Sequence, residues 1–150
     1  MPEFRPLLAA DIELVYPIEQ AAHREPWSLN NFRSCFGPRY LNGLLLVDNI
    51  PAGFYLSDLV AGDSSLMNIC IAPAYQSQGL GRALLQHYLT HSKQAGAQAW
   101  FLEVRASNER AITLYEHNGF AEYCRRADYY GTGSQREDAI LMSRLFDMDL

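Results

Sequence analysis

Gln76-Ser77-Gln78-Gly79-Leu80-Gly81, set between an apolar strand-like run and an amphipathic segment, decides how this chain is read. A strand, a glycine-bearing turn and a helix start together form a seat for an anion. The first N–H groups of a helix have no intrahelical partners and lie at the positive end of its dipole. A phosphate is held there without a basic side chain. Glycine lets the backbone approach a ligand closely, and Arg82 adds a positive charge just inside the helix. The segment points to a phosphorylated ligand, most simply a nucleotide or coenzyme. A plain glycine turn before a helix is the other reading of the same residues.

Two common phosphate loops do not fit. A Walker loop needs a Lys after its last glycine, and Arg82 follows Gly81. A Rossmann fingerprint needs a third small residue where Leu84 stands. What remains is Gln-x-x-Gly-x-Gly opening a helix.

The rest of the chain bounds the setting. Its 150 residues suit one domain spanning 1–150, with 49% hydrophobic and 19% charged residues as in an ordinary globular protein. No apolar run reaches the length of a membrane span, so no membrane partner is expected. No signal segment opens the chain, and Cys35, Cys70 and Cys124 are odd in number and widely spaced. A cytoplasmic location is the expectation. The four histidines form no metal-ligand pattern, His87 and His91 reading as an exposed pair on one helix, so no metal is expected. A formal charge of −5 without a basic run gives no footprint for nucleic acid and suits a basic partner.

Periodicity and turn residues predict about seven strands and four helices in a mixed α/β layer. Strands are expected at residues 3–7, 41–47, 52–60, 65–71, 97–104, 120–125 and 139–145. Helices are expected at 11–22, with Pro17 as an interruption, at 29–36 after the cap Ser28, at 80–95, and after the cap Asn108. The strand at 97–104 is almost wholly apolar, as expected for a central strand covered on both faces.

Within it, Glu103 shares a face with Phe101 and Arg105. A carboxylate there is either a functional group or a strand-end residue exposed or paired with Arg105. Tyr115 on the following helix also suits a core tyrosine, and Asn108 is sufficiently explained as an N-cap.

Taken together these residues say more. Glu103-Val104-Arg105-Ala106-Ser107-Asn108, then Ala111-Ile112, Leu114-Tyr115-Glu116 and Asn118-Gly119-Phe120, follow the Gln-x-x-Gly-x-Gly loop in order. The pattern resembles the GCN5-related N-acetyltransferase (GNAT) family. The resemblance implies a single-domain α/β (α+β) fold with a mixed, mostly antiparallel sheet, and acetyl-CoA as cosubstrate. By the same resemblance residues 77–82 (Ser77, Gln78, Gly79, Leu80, Gly81, Arg82) hold the pyrophosphate. Asn108 contacts the coenzyme, and the backbone of Ile69, Cys70 and Ile71 pairs with its pantetheine arm. Tyr115 is implied as general acid.

Asn68-Ile69-Cys70-Ile71-Ala72-Pro73, Glu25-Pro26-Trp27-Ser28, Tyr129-Tyr130 and Arg136-Glu137-Asp138-Ala139-Ile140 narrow the likeness to the bacterial branch that acetylates the N-terminal alanine of a small-subunit ribosomal protein. The implied partner is the N-terminal segment of that basic protein. Departures lie around Pro17 and in the 131–135 loop. Other protein N-termini, lysine or a small amine as acceptor, or a non-catalytic CoA-binding module, stand as alternatives.

The chemistry is consistent with an α-amine acceptor. With a pKa near ~7.7–8.0, roughly a tenth of it is neutral at pH 7, against about one part in a few thousand for lysine. Glu103, directly or through water, suffices to take its proton, and burial would make it a better base. Tyrosine near ~10 donating to a thiolate near ~8.5 is modestly uphill in water. Cys70 reads as a small buried residue rather than a nucleophile. Trp27, Tyr129 and Tyr130 serve equally as acceptor-contacting or as core and lid residues.

Overall fold

The computed structural model describes residues 2–131 and 136–145. Strand β1 (Pro2–Pro6) leads into helix α1 (Ile12–Ala22) and the short helix α2 (Leu29–Arg33), whose cap Ser28 accepts from the Asn31 N–H at 3.1 Å. Strands β2 (Gly43–Val47), β3 (Ile50–Val60) and β4 (Asp63–Ile71) then form consecutive hairpins. Their turns, Asp48-Asn49 and Ala61-Gly62, hold both central residues at positive φ. That geometry matches the right-handed twist of the flanking strands. Helix α3 (Leu80–Gln94) crosses to β5 (Ala99–Arg105), and helix α4 (Glu109–His117) precedes β6 (Ala121–Tyr130) and β7 (Glu137–Leu145).

The seven strands form one sheet in the order β1-β2-β3-β4-β5-β7-β6. Every neighbouring pair is antiparallel except β4 and β5. That parallel pairing is brief: Asp63, Ser64, Ser65 and Leu66 face Ala99, Trp100, Phe101 and Leu102. Beyond it β4 continues beside β3 only, and β5 beside β7 only. The register of β3 against β4 also shifts here: Ser57 pairs with Leu66 and Leu56 with Asn68, leaving Met67 as the extra residue of a bulge. A bulge bends and twists its strand. The sheet is therefore split from Met67 onward, and the split is where ligands have room.

Helices α3 and α4 cover one face. Leu84, Leu85, Tyr88 and Leu89 interlock with Tyr55, Trp100, Leu102 and Met142. Helices α1 and α2 cover the other face over β2, β3 and β4, through Val15, Ile18 and Phe32 against Leu44, Phe54, Leu56 and Cys70. Two polar pairs lie inside this layer: Trp100 Nε1 donates to Ser92 Oγ at 2.8 Å, and Tyr88 and Ser64 share a hydroxyl bond at 2.6 Å.

Several expectations are corrected. Strand β5 is covered on one face only. Trp100, Leu102 and Val104 are buried, but Phe101 and Arg105 are half-buried and Glu103 is exposed, because α1 and α2 do not reach past β4. The strand expected at 120–125 runs on to Tyr130, so Tyr129 and Tyr130 end it; of the 131–135 loop, residues 132–135 lie outside the described residues. Helix α1 runs through Pro17, and α2 stops at Arg33. His87 and His91 are half-buried: His87 stacks on Phe4 at 4.4 Å and bonds Tyr55 Oη through Nδ1 at 3.1 Å. Among the described residues no helix is long and apolar enough to cross a membrane.

Candidate active site

Two clefts open into the split. The first, of about 420 Å³, is lined by Ile69, Cys70 and Ile71 of β4, by Tyr75, Gln76, Ser77, Gly79, Gly81 and Arg82, and by Asn108, Arg110, Ala111, Leu114 and Tyr115 of the α4 region. Its floor is the start of α3. The N-cap there is Gly79, at φ 79°, a left-handed conformation that strains any residue with a Cβ. No side chain caps this helix. The first intrahelical bond into the turn is Ala83 N–H to the Gly79 carbonyl. The preceding amides of Leu80, Gly81 and Arg82 therefore face the cleft end of a positive dipole. Among the expected coenzyme contacts, Gln78 and Leu80 do not line this cleft, and Arg82 lines it from an exposed position.

Two side chains set the loop: Gln76, which opens the sequence motif, and Arg110, which did not stand out in the sequence. Gln76 Nε2 donates to the Ile71 carbonyl at 2.9 Å, fastening the loop to the end of β4. Arg110 Nη2 donates to Ser77 Oγ at 3.0 Å across the cleft. Arg110 sits two residues after the α4 cap, a place where a helix gains nothing from a cation. That mismatch with the dipole was the available signal.

The second cleft, of about 230 Å³, lies on the α1 side of the same split. Trp27, Met67, Glu103, Arg105 and Tyr130 line it, along with Glu19, His23 and Glu25. Ile69, Asn108 and Tyr115 line both clefts. Asn108 caps α4, its Oδ1 accepting from the Ala111 N–H at 3.2 Å, which leaves its Nδ2 amide for a ligand.

Tyr115 is buried, with its ring edge-on to Phe120 at 6.0 Å. Burial pushes its phenol up to about 12. Cys70 is buried too, its thiol raised to about 12 by burial and by the charge of Glu19; only its backbone serves the cleft, because Sγ faces the Ile18 carbonyl of α1.

Glu103 departs from the buried base of the sequence reading. Its carboxylate is exposed, accepts from Tyr130 Oη at 2.5 Å, and lies 3.8 Å from Arg126 Nη1. Arg105 is not its partner. That guanidinium reaches Glu25 at 3.1 Å and Glu137 at 3.0 Å, and stacks over the Tyr130 ring at 4.3 Å. Hydrogen bonds from Ser107 and Arg105 hold the Glu137 carboxyl below its usual range. Burial and the Glu103 carboxylate push the Tyr130 phenol well above its usual range. Tyr129 stands outside both clefts, half exposed, edge-on to Tyr130 at 5.1 Å.

Glu19, His23 and Cys70 bring one donor atom each within 4.8 Å of one another, a cluster invisible in the sequence. Both Glu19 oxygens already accept hydrogen bonds, from Trp27 N–H and from Asn68 Nδ2.

Comparison with known proteins places this geometry. Residues 2–120 match the model of the acetyltransferase (GNAT) family. The chain is 46% identical over 137 residues to the [ribosomal protein bS18]-alanine N-acetyltransferase of Escherichia coli K12, covering 91% of this chain and 93% of that one. It superimposes with a TM-score of 0.94 and 44% identity on the crystal structure of the Escherichia coli ribosomal-protein-S18-alanine N-acetyltransferase, covering 99% and 96% of the two chains. Arabidopsis thaliana NAA60 in complex with acetyl-CoA shares the fold at a TM-score of 0.85 and 17% identity, over 97% and 99% of the chains. With the family model spanning most of the chain and such relatives nearly all of it, this protein belongs to the GNAT family of acetyltransferases.

Proposed function

We propose that this protein transfers the acetyl group of acetyl-CoA to the α-amine of the N-terminal alanine of ribosomal protein bS18. The observation that carries the reaction is the meeting of two clefts at Ile69, Asn108 and Tyr115, one ending at an uncapped helix N-terminus and the other edged by Glu103. The acceptor's identity rests on the Escherichia coli relative.

Acetyl-CoA fits the first cleft. The amides of residues 80–82 receive the pyrophosphate, and Arg82 and Arg110 add charge. The gap-facing edge of β4 beyond Leu66 has no strand partner among the described residues, so its amides are free to pair with the pantetheine arm and to polarise the thioester carbonyl. The second cleft takes the peptide terminus between Trp27 and Tyr130. Glu103 accepts the proton of the attacking amine, directly or through water, as the C–N bond forms. Exposure of this carboxylate is tolerable because an α-amine is already roughly a tenth neutral at pH 7. As the C–S bond breaks, the leaving sulfur receives the Tyr115 hydroxyl proton, and the phenol regains one from solvent.

The test is a panel of acceptors with purified protein and acetyl-CoA: a peptide beginning Ala-Arg-Tyr, the same peptide with a blocked terminus and an internal lysine, and spermidine. Acetylation of the free-terminus peptide with the highest kcat/KM is expected. Preference for the lysine or the polyamine overturns the proposal. Tight acetyl-CoA binding with no product on any acceptor supports a non-catalytic module.

A further inference from the structure

The buried face of α1 carries Ile12, Val15 and Ile18, and then a carboxylate, Glu19, with no exposed surface. It is the sole charged side chain buried among the described residues. Burying a carboxylate is costly unless hydrogen bonds replace its water. Glu19 Oε2 accepts from the Trp27 N–H at 2.9 Å, Oε1 accepts from Asn68 Nδ2 at 2.8 Å, and His23 Nε2 lies 3.3 Å from Oε1. Tyr16 Oη donates to the Trp27 carbonyl at 2.8 Å, so α1 grips both sides of that residue's backbone.

The two donors belong to different halves of the site. Trp27 is a wall of the second cleft. Asn68 follows the Met67 bulge and directly precedes Ile69, which lines both clefts. A carboxylate accepts at both oxygens, whereas glutamine of the same length presents one acceptor and one donor. A glutamine here turns an N–H against an N–H at one of the two contacts.

We propose that Glu19 is a positioning residue that sets the Trp27 loop in register with the split end of β4, so that the acceptor amine meets the thioester. The proposal rests on the reading of the second cleft as the seat of a peptide amine. Glu19 touches neither reacting atom. It holds a main-chain amide on the acceptor side and a side-chain amide next to the donor strand, and their separation is fixed by the span of one carboxylate.

The experiment compares wild type, Glu19→Gln, and the double variant Glu19→Gln/Asn68→Asp. In the double variant the amide oxygen at position 19 still accepts from the Trp27 N–H. The amide NH₂ at the same position donates to the new carboxylate at position 68, which restores both bonds with one reversed. Losing one charge-assisted hydrogen bond predicts a rise of about tenfold in peptide KM for Glu19→Gln. The acetyl-CoA KM is expected to change less than about twofold, and the double variant to recover most of the loss. Incorporation of 5-fluorotryptophan gives one ¹⁹F signal each for Trp27 and Trp100. Glu19→Gln should move the Trp27 signal and leave Trp100 in place, and the double variant should return it. An unmoved Trp27 signal, equal loss toward both substrates, or no recovery in the double variant overturns the proposal. Absence of peptide turnover by the wild type overturns the functional reading alone, because the ¹⁹F arm reports the loop without any reaction.

Discussion

Replacing Tyr115 by phenylalanine removes one oxygen from a site where geometry separates catalysis from stability. The ring lies edge-on to Phe120 at 6.0 Å and is buried against the α3 face. Among the described residues the hydroxyl has no hydrogen-bond partner, so the substitution keeps the packing and orphans no other group. The stability change is expected within about 1 kcal/mol, a shift of roughly 2–4 °C in Tm for a domain of this size. The chemical effect is larger. With the phenol at about 12 and a solvated leaving thiol near ~8.5, complete proton transfer from Tyr115 is uphill by at most about 5 kcal/mol. Under the proposed mechanism Tyr115 would act mainly by holding a hydrogen bond on the developing sulfur charge, with the proton following late. Removing one such donor lowers kcat by about 10²–10³-fold. A stopped assay of free thiol release, run from about pH 6 to 11 on wild type and variant, checks both points. The wild-type rate should rise with deprotonation of the acceptor amine and show no descending limb below about pH 10. A descending limb near about pH 8–9 that vanishes in Tyr115→Phe would refute the reasoning, since it would require a phenol already ionising there. So would a variant with normal kcat.

Glu103→Gln should lower kcat by about 10²-fold while the peptide still binds, measured by steady-state kinetics; an unchanged kcat removes Glu103 from the base role. Arg110→Ala should raise the acetyl-CoA KM by about tenfold, with peptide KM unchanged, because the cation held at Ser77 faces only the first cleft. Calorimetric titration of CoA gives the same answer independently of turnover. The protein should lose stability above about pH 10. Buried Tyr55, Tyr88 and Tyr115 all titrate above their unfolded value of about 10. Above that pH the unfolded chain releases protons the folded one keeps, so stability falls as pH rises, by roughly 2 kcal/mol for Tyr115 alone at about pH 12. Chemical denaturation at about pH 8, 10 and 11 follows it; a midpoint that is flat across that range contradicts the burial assigned to these phenols.

The chain's local chemistry determined much of this protein. Gly79 after a strand and before Leu80 announces an open helix N-terminus, because only a residue tolerant of positive φ starts a helix that way. Period-2 and period-3.6 patterns place most strands and helices to within a few residues, though not the end of β6, and the order of Gln76, Glu103, Asn108 and Tyr115 carries the family resemblance. What tertiary structure decided is the relation between segments. The brief pairing of β4 with β5 and the Met67 bulge open the split, and neither has a local signature, since pairing joins strands far apart in the chain. The exposure of Glu103 follows from how far α1 and α2 reach across the sheet, and the choice of Tyr130 and Arg126 as its neighbours from the length of β6. Glu19 shows the division most sharply: nothing in the sequence reading singled it out, and the two amides that satisfy it come from Trp27 and Asn68 and meet only in the folded protein.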